Sequence, residues 1–247
     1  MHHFFVSPEQ VGEKSITITG SDVNHIKHVL RMAPGEQITV SSGENKEYRC
    51  EIRSLSEEQV EAQIMWVQET GAELPSRLYL FQGLPKSDKM ELIIQKAVEL
   101  GVYEIVPTAT RRAVVKLDKK KEESKRKRWQ GIAESAAKQS KRNLIPQVTQ
   151  VMSFREAVEY AAGLDVKLVP YELAEGMDAA RQVIGSIKPG QSVAVFIGPE
   201  GGFAPEEIDY AVEHGFRPIT LGRRILRTET AGMTVLSILM YHLEPSL

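Results

Sequence analysis

The hydrophobic rhythm of this 247-residue chain changes once, and that change limits what it can fold into. From Phe4 to about Gln68 the apolar residues come at strand spacing. "SITIT", "QITVSSG", "EYRCEIRSL" and "QVEAQIMWVQ" alternate or cluster β-branched and apolar side chains, and Ser42-Gly43-Glu44-Asn45 reads as a turn between two of them. One short helix interrupts, "SDVNHIKHVLRM", with Ser21 or Asp22 as N-cap and Ile26, Val29 and Leu30 on one face. The pattern predicts a small β-barrel or sandwich. "ETGAELPS", residues 69–76, then has the polar, Gly- and Pro-bearing character of a linker.

Beyond it, strands alternate with helices. The candidate strands are "RLYLFQG", "YEIVPTA", "VKLVPY", "SVAVFIG" and "RPITLG". Helical patterns fall between them: Asp88–Leu100 with an Asp88/Glu91 capping box, Lys121–Gln139, Ser153–Ala161 with a Ser153/Glu156 box, Gly176–Ile187, and Pro205–His214 opening on a proline. Alternating β and α predicts a mostly parallel sheet covered by helices, with ligands beyond the carboxyl ends of the strands. The last helix, "MTVLSILMYHL", has no polar face, so it is expected in the core or against a second copy of the chain.

Composition excludes several classes. At 42% hydrophobic and 26% charged residues the chain reads as globular, and no apolar run reaches the length of a membrane span. The start "MHHFFVSPEQ" lacks the basic-then-apolar order of a signal peptide, and a single cysteine, Cys50, excludes an internal disulfide framework; both fit the cytoplasm. His25 and His28 stand one turn apart without further ligands at metal spacing, so no metal is expected. The formal net charge of −2 hides an uneven distribution: "RRAVVKLDKKKEESKRKR", residues 111–128, carries ten Lys/Arg against three acids. Trp129, Ile132, Ala133 and Ala136 form an apolar stripe on the helix that follows, leaving its basic side outward for phosphates or for solvent.

Two strand ends are unusual. "FIGPEGGF", residues 196–203, packs three glycines and a proline around Glu200. Its spacing matches neither G-x-G-x-x-G nor G-x-x-x-x-G-K-[ST], and its acid would repel a pyrophosphate, so either a tight turn or a site for another ligand remains. The second end, "LGRRILRTETAG", would bring Arg223, Arg224, Arg227, Thr228, Glu229 and Thr230 into a cleft with Glu200.

These two loops together resemble the paired C-terminal motifs of the SPOUT methyltransferases, and within them of the RsmE branch, which methylates N3 of a uridine in 16S ribosomal RNA of the small subunit. The resemblance continues in "HVLRMAPGE" (28–36), "KMELIIQKAVELGV" (89–102), "RRAVVK" (111–116) and "KRWQGIAESAAKQSKR" (127–142), covering nearly the whole chain in order. It implies a PUA-like RNA-binding β-barrel domain at 1–70, a linker at 71–76, and a SPOUT domain at 77–247 whose C-terminal part is tied in a trefoil knot. It also implies a homodimer with composite active sites and bound S-adenosylmethionine.

On that resemblance the cofactor would rest on Ile197, Gly198, Pro199, Glu200, Gly201 and Gly202, on Leu221, Gly222, Leu226, Arg227 and Thr228, and on a third wall at Val169, Pro170 and Tyr171. A loop acid then suits a sulfonium cation. Glu200 and Glu229 are candidate bases for the N3 proton, and Arg227, Thr228 and Thr230 are candidate donors to the uracil carbonyls. For Arg227 and Glu229 the plain alternative is that they pair with each other or cap the last helix. His28, Arg31, Arg111, Arg112, Arg126, Arg128 and Arg142 are the candidate RNA contacts, with Lys27, Lys86 and Lys96 as further possibilities. Rival readings are methylation of another RNA or another base atom by the same fold, a noncatalytic RNA-binding protein, and a nucleotide-dependent oxidoreductase. The last would need a phosphate loop where "LFQGLPKSDKM" offers one glycine.

Overall fold

Strand alternation in the first part of the chain places one residue of each pair in a common core. The computed structural model describes residues 2–43, 46–69, 72–172, 174 and 176–244, and it divides into two units. The first comprises Met1–Glu73 and Ala137–Ile145. Its strands are β1 (His2–Phe5), β2 (Ser15–Thr19), β3 (Gln37–Ser41), β4 (Lys46–Leu55) and β5 (Gln59–Glu69). They form one sheet in the order β1-β3-β4-β5-β2, antiparallel except where β1 runs parallel to β3. Ile16 and Ile18, Ile38 and Val40, Cys50 and Ile52, and Val60 and Ala62 all point into the core. Register shifts at Arg49/Cys50 and Ile52/Ser54 mark irregularities in the β4–β5 ladder of the kind that bend and twist a strand pair, and the sheet curls. The expected turn at 42–45 and linker at 69–76 fall partly on Glu44, Asn45, Thr70 and Gly71, outside the described residues.

The helix of this unit departs from expectation in two ways. α1 (Ser21–Asn24) is preceded by Gly20 at φ +77°, so the N-cap is neither Ser21 nor Asp22. It continues as a π-helical turn, His25–Val29, closed by the Leu30 amide donating to the His25 carbonyl at 2.9 Å. The wider turn shifts the angular register. Ile26 therefore stays buried and Leu30 packs against the core, while Val29 is 64% exposed.

The second unit comprises Leu74–Ala136 and Pro146–Leu247. Its strands are β6 (Arg77–Gly83), β7 (Val102–Ala109), β8 (Gln147–Val148), β9 (Met152–Ser153), β10 (Val166–Pro170), β11 (Ser192–Ile197) and β12 (Arg217–Ile219). The order is β12-β10-β11-β6-β7-β8 with β9 beside β7, and every pairing is parallel. The helices are α2 (Lys89–Glu99), α3 (Lys119–Gln139), α4 (Phe154–Tyr160), α5 (Met177–Gly185), α6 (Pro205–Glu213) and α7 (Thr228–Leu243). An aromatic cluster fixes one face of the sheet. Phe81 stacks on Phe196 at 4.3 Å between centroids, and Phe154 and Phe216 meet Phe196 edge-on. Such contacts add about 0.5–1.5 kcal/mol each beyond burial. On the other side α2 packs on α7, burying Ile93, Ile94, Ala97 and Val98 together with Val235, Leu236 and Leu239.

Helix starts follow local chemistry where partners are local. Ser153 and Glu156 form the expected capping box, with the Ser153 amide donating to Glu156 at 2.7 Å, and Pro205 is the first residue of α6. The Asp88/Glu91 box does not form, because Glu91 binds Arg128 instead. α7 begins five residues earlier than its apolar run, at Thr228, and it is not covered on every side: Ile238 and Tyr241 are exposed, the latter at 86%. Among the described residues no helix is long and apolar enough to cross a membrane.

Candidate active site

The carboxyl ends of β10 and β11 open into a cavity of about 450 Å³. Its floor is the glycine turn after β11. A Cβ on Gly198 would lie 3.1 Å from the Gly202 backbone, Gly202 has φ +66°, and its amide donates to the Pro199 carbonyl at 2.9 Å. Only glycine allows the turn to fold back on itself this tightly. The loop after β12 supplies the facing wall, with Gly222 at φ +115°. The Thr228 hydroxyl joins the walls by donating to the Gly198 carbonyl at 2.6 Å while accepting from Gln82 Nε2 at 2.9 Å.

Charge in the cavity is organised around Lys89. Its Nζ lies 3.2 Å from Glu200 Oε1 and 3.3 Å from Glu229 Oε2. Hydrogen bonding to Glu200 raises the Lys89 pKa above the ordinary lysine value, against the opposing effect of burial. For Glu200, partial burial pushes upward, but backbone N–H donors and Lys89 outweigh it and hold the carboxyl below its usual range. Both Glu200 oxygens accept from the Lys86 amide, at 3.1 and 3.3 Å.

Of the sequence candidates for cofactor contact, all but one line this cavity. Val169 is the exception, buried in β10 beneath the Pro170–Tyr171 wall. Arg227 and Glu200 line it too; Glu229 stands behind Lys89, and Thr230 is exposed outside the lining. Arg227 and Glu229 do not pair with each other, and Arg227 occupies the N-cap position of α7 without a side-chain capping bond.

Comparison with known proteins bears on this site. Residues 72–240 match a family described as RNA methyltransferase domain, and residues 18–65 match one described as RNA methyltransferase PUA domain. The chain is 39% identical over 251 residues to the ribosomal RNA small subunit methyltransferase E of Bacillus subtilis (strain 168), covering 99% of this chain and 98% of that protein. The chain belongs to the ribosomal RNA small subunit methyltransferase E family. A crystal structure of a family member from Neisseria gonorrhoeae, bound to S-adenosyl methionine, superposes with a TM-score of 0.84 at 32% identity, over 98% of this chain and 97% of that one. A second crystal structure, of a protein described as hypothetical, reaches a TM-score of 0.92 at 39% identity over 98% of both chains.

In this methyltransferase the candidate RNA contacts divide sharply. Within the second unit, Arg112 is exposed and its guanidinium donates to the Gly201 carbonyl at 3.2 Å, at the cavity's glycine turn. Arg111 pairs with Glu206, Arg126 is half-buried, and Arg128 forms a two-point contact with Glu91. Within the first unit, His28 and Arg31 are exposed. Arg142 is not: it is 4% exposed and its guanidinium grips the Glu73 carboxylate, which also accepts from the Asn143 and Leu144 amides. The expectation that Arg142 faces RNA is therefore corrected to a structural ion pair. Sequence reasoning missed Lys89, Glu172, Phe203, Thr220, Ile225 and Ala231 as lining residues. Lys89 heads the "KMELIIQKAVELGV" motif, a signal that names the residue but not its partners. Among the described residues no three His, Cys, Asp or Glu side chains cluster as metal ligands.

Proposed function

We propose that this methyltransferase transfers a methyl group from S-adenosylmethionine to N3 of one uridine in 16S ribosomal RNA, within the small ribosomal subunit and in the cytoplasm. The observation that carries the reading is the cavity at the carboxyl ends of β10 and β11. Its size lies within the roughly 300–1,000 Å³ of small-molecule sites. Apolar side chains of Ile197, Leu221 and Leu226 suit an adenine ring, the backbone of two glycine-bearing loops suits a ribose, and Glu200 suits a cation. When bound, S-adenosylmethionine supplies an electrophilic methyl group.

Protein residues have to turn N3 into a nucleophile. As its proton leaves, negative charge spreads onto the uracil oxygens, and a fixed donor there lowers the barrier. Arg227 is the residue we assign to that oxygen, because it lines the cavity and its guanidinium stays charged. Thr228 is engaged between Gln82 and Gly198, so its part is to hold the walls together. Glu200, held ionised below the usual range, is a weak proton acceptor, and the N3 proton passes to solvent.

RNA is held by the PUA-like domain at 1–70, through His28 and Arg31, and by the basic face at 111–128 of the SPOUT domain at 77–247. The segment from β10 to α7 is the part we assign to the trefoil knot. Exposed Ile238 and Tyr241, three residues apart on α7, give that helix an apolar face suited to a second copy in a homodimer. Methylation of small subunits lacking the modification, with labelled S-adenosylmethionine and nucleotide mapping, tests the reading. Label at one uridine N3 is expected, and Arg227→Ala should lower kcat about 10²- to 10³-fold. Label elsewhere would reject the target, and absence of cofactor binding would reject the site.

A further inference from the structure

Lys89 stands where a lysine is unfavourable on its own account. It is the first residue of α2, and a helix N-terminus carries partial positive charge that disfavours a cation. What offsets this is a pair of carboxylates brought from far along the chain, Glu200 of the glycine turn at 3.2 Å and Glu229 of the first turn of α7 at 3.3 Å. Glu229 Oε2 is buried and makes no hydrogen bond of good geometry among the described residues, so the ammonium compensates its charge. Glu229 is thus the anchor behind the wall, Lys89 is the link, and Glu200 is the cavity-lining end. The other cations of the cavity do not duplicate the link. Arg223, Arg224 and Arg227 make no ion pair among the described residues, and Arg112, outside the lining, reaches the turn through the Gly201 carbonyl.

We propose that Lys89 is a positioning residue for the methyl-donor pocket. Anchored by Glu229, it fixes the Glu200 carboxylate and, through it, the turn Gly198–Gly202 on which the cofactor rests. The proposal rests on the cofactor reading above. Calorimetric titration of the full-length protein with S-adenosylmethionine, from about pH 3 to pH 7 so that the range reaches below the ordinary carboxylate pKa, tests it. Lys89→Met should weaken binding about 10- to 100-fold, the usual worth of a charged hydrogen bond, and Lys89→Arg should recover most of it. Glu200→Gln should weaken binding to a similar degree, with no further loss in the double variant, because the two act as one unit.

The pH profile separates positioning from general support. Ionised Glu200 is the competent form, and Lys89 lowers its pKa. Removing the lysine must therefore move the acid limb of cofactor affinity to higher pH, and Glu200→Gln must abolish that limb. Lys89→Met binding equal to that of the unaltered protein, or a loss with the acid limb unmoved, would overturn the proposal. If Lys89→Met fails to fold, Glu229→Gln takes its place, since it removes the anchor and leaves Lys89 beside Glu200; unchanged affinity there also overturns the proposal. A failure of the unaltered protein to bind would instead defeat the cofactor reading, and the lysine assignment with it.

Discussion

Gly83 ends β6 directly against the turn that shapes the cavity. A Cβ at this position would lie 2.6 Å from Pro199 Cδ and 2.7 Å from its nitrogen, and a ring tied into the backbone cannot yield as a flexible side chain does. Gly83→Ala should therefore shift Pro199 and the glycine turn, at a cost of about 1–3 kcal/mol in stability by overpacking. Cofactor affinity, read by titration, should fall at least about tenfold, because displacements near 1 Å are enough to disrupt a built site. Gly131, exposed in the middle of α3, meets nothing within 4 Å. Gly131→Ala should instead raise stability by about 0.5–1 kcal/mol in urea unfolding, through helix propensity alone. Loss of cofactor binding in both variants, or in neither, would remove the special standing given to Gly83.

At the scale of elements, what could be read from the sequence was whatever depends on near neighbours. The Ser153/Glu156 box, Pro205 at the head of α6 and the alternation of Ile16/Ile18 and Ile38/Val40 need only residues within a few positions. Features set by distant partners could not be read. Glu91 abandons its cap for Arg128, Lys89 finds Glu200 and Glu229, and Arg142, in a basic stretch that reads as an RNA face, is captured by Glu73. The cavity lies between, since its loops could be located by motif but not its lysine link. The Arg142 pair also carries a prediction. Glu73→Ala would leave a nearly buried guanidinium without its carboxylate, and two backbone amides without their acceptor. The loss in urea unfolding should be on the order of 3 kcal/mol. Arg181→Ala, which breaks the exposed pair with Asp178, should cost no more than about 0.5–1 kcal/mol. Equal effects would mean that the Glu73 pair is as weak as a surface pair.

For the molecule as a whole, charge placement governs the encounter with RNA. The run at 111–128 carries +7 on a chain of net −2, which leaves −9 elsewhere, so a polyanion is drawn to one region and repelled by the remainder. Within the run the cations are not equivalent. Arg111 and Arg128 are already paired with Glu206 and Glu91, whereas Lys116, Lys119 and Lys120 are exposed and make no ion pair among the described residues. Replacing those three lysines with alanine should weaken binding to small ribosomal subunits. It should also flatten the dependence of log affinity on log salt by about one unit for each phosphate that is no longer neutralised. Arg128→Ala should change the slope little, because its charge is spent on Glu91. Cofactor titration should be unaffected in either variant, since neither region lines the cavity. A salt slope unchanged in the triple variant would make this stretch a solvated face and move the electrostatic attraction to His28 and Arg31 of the first unit.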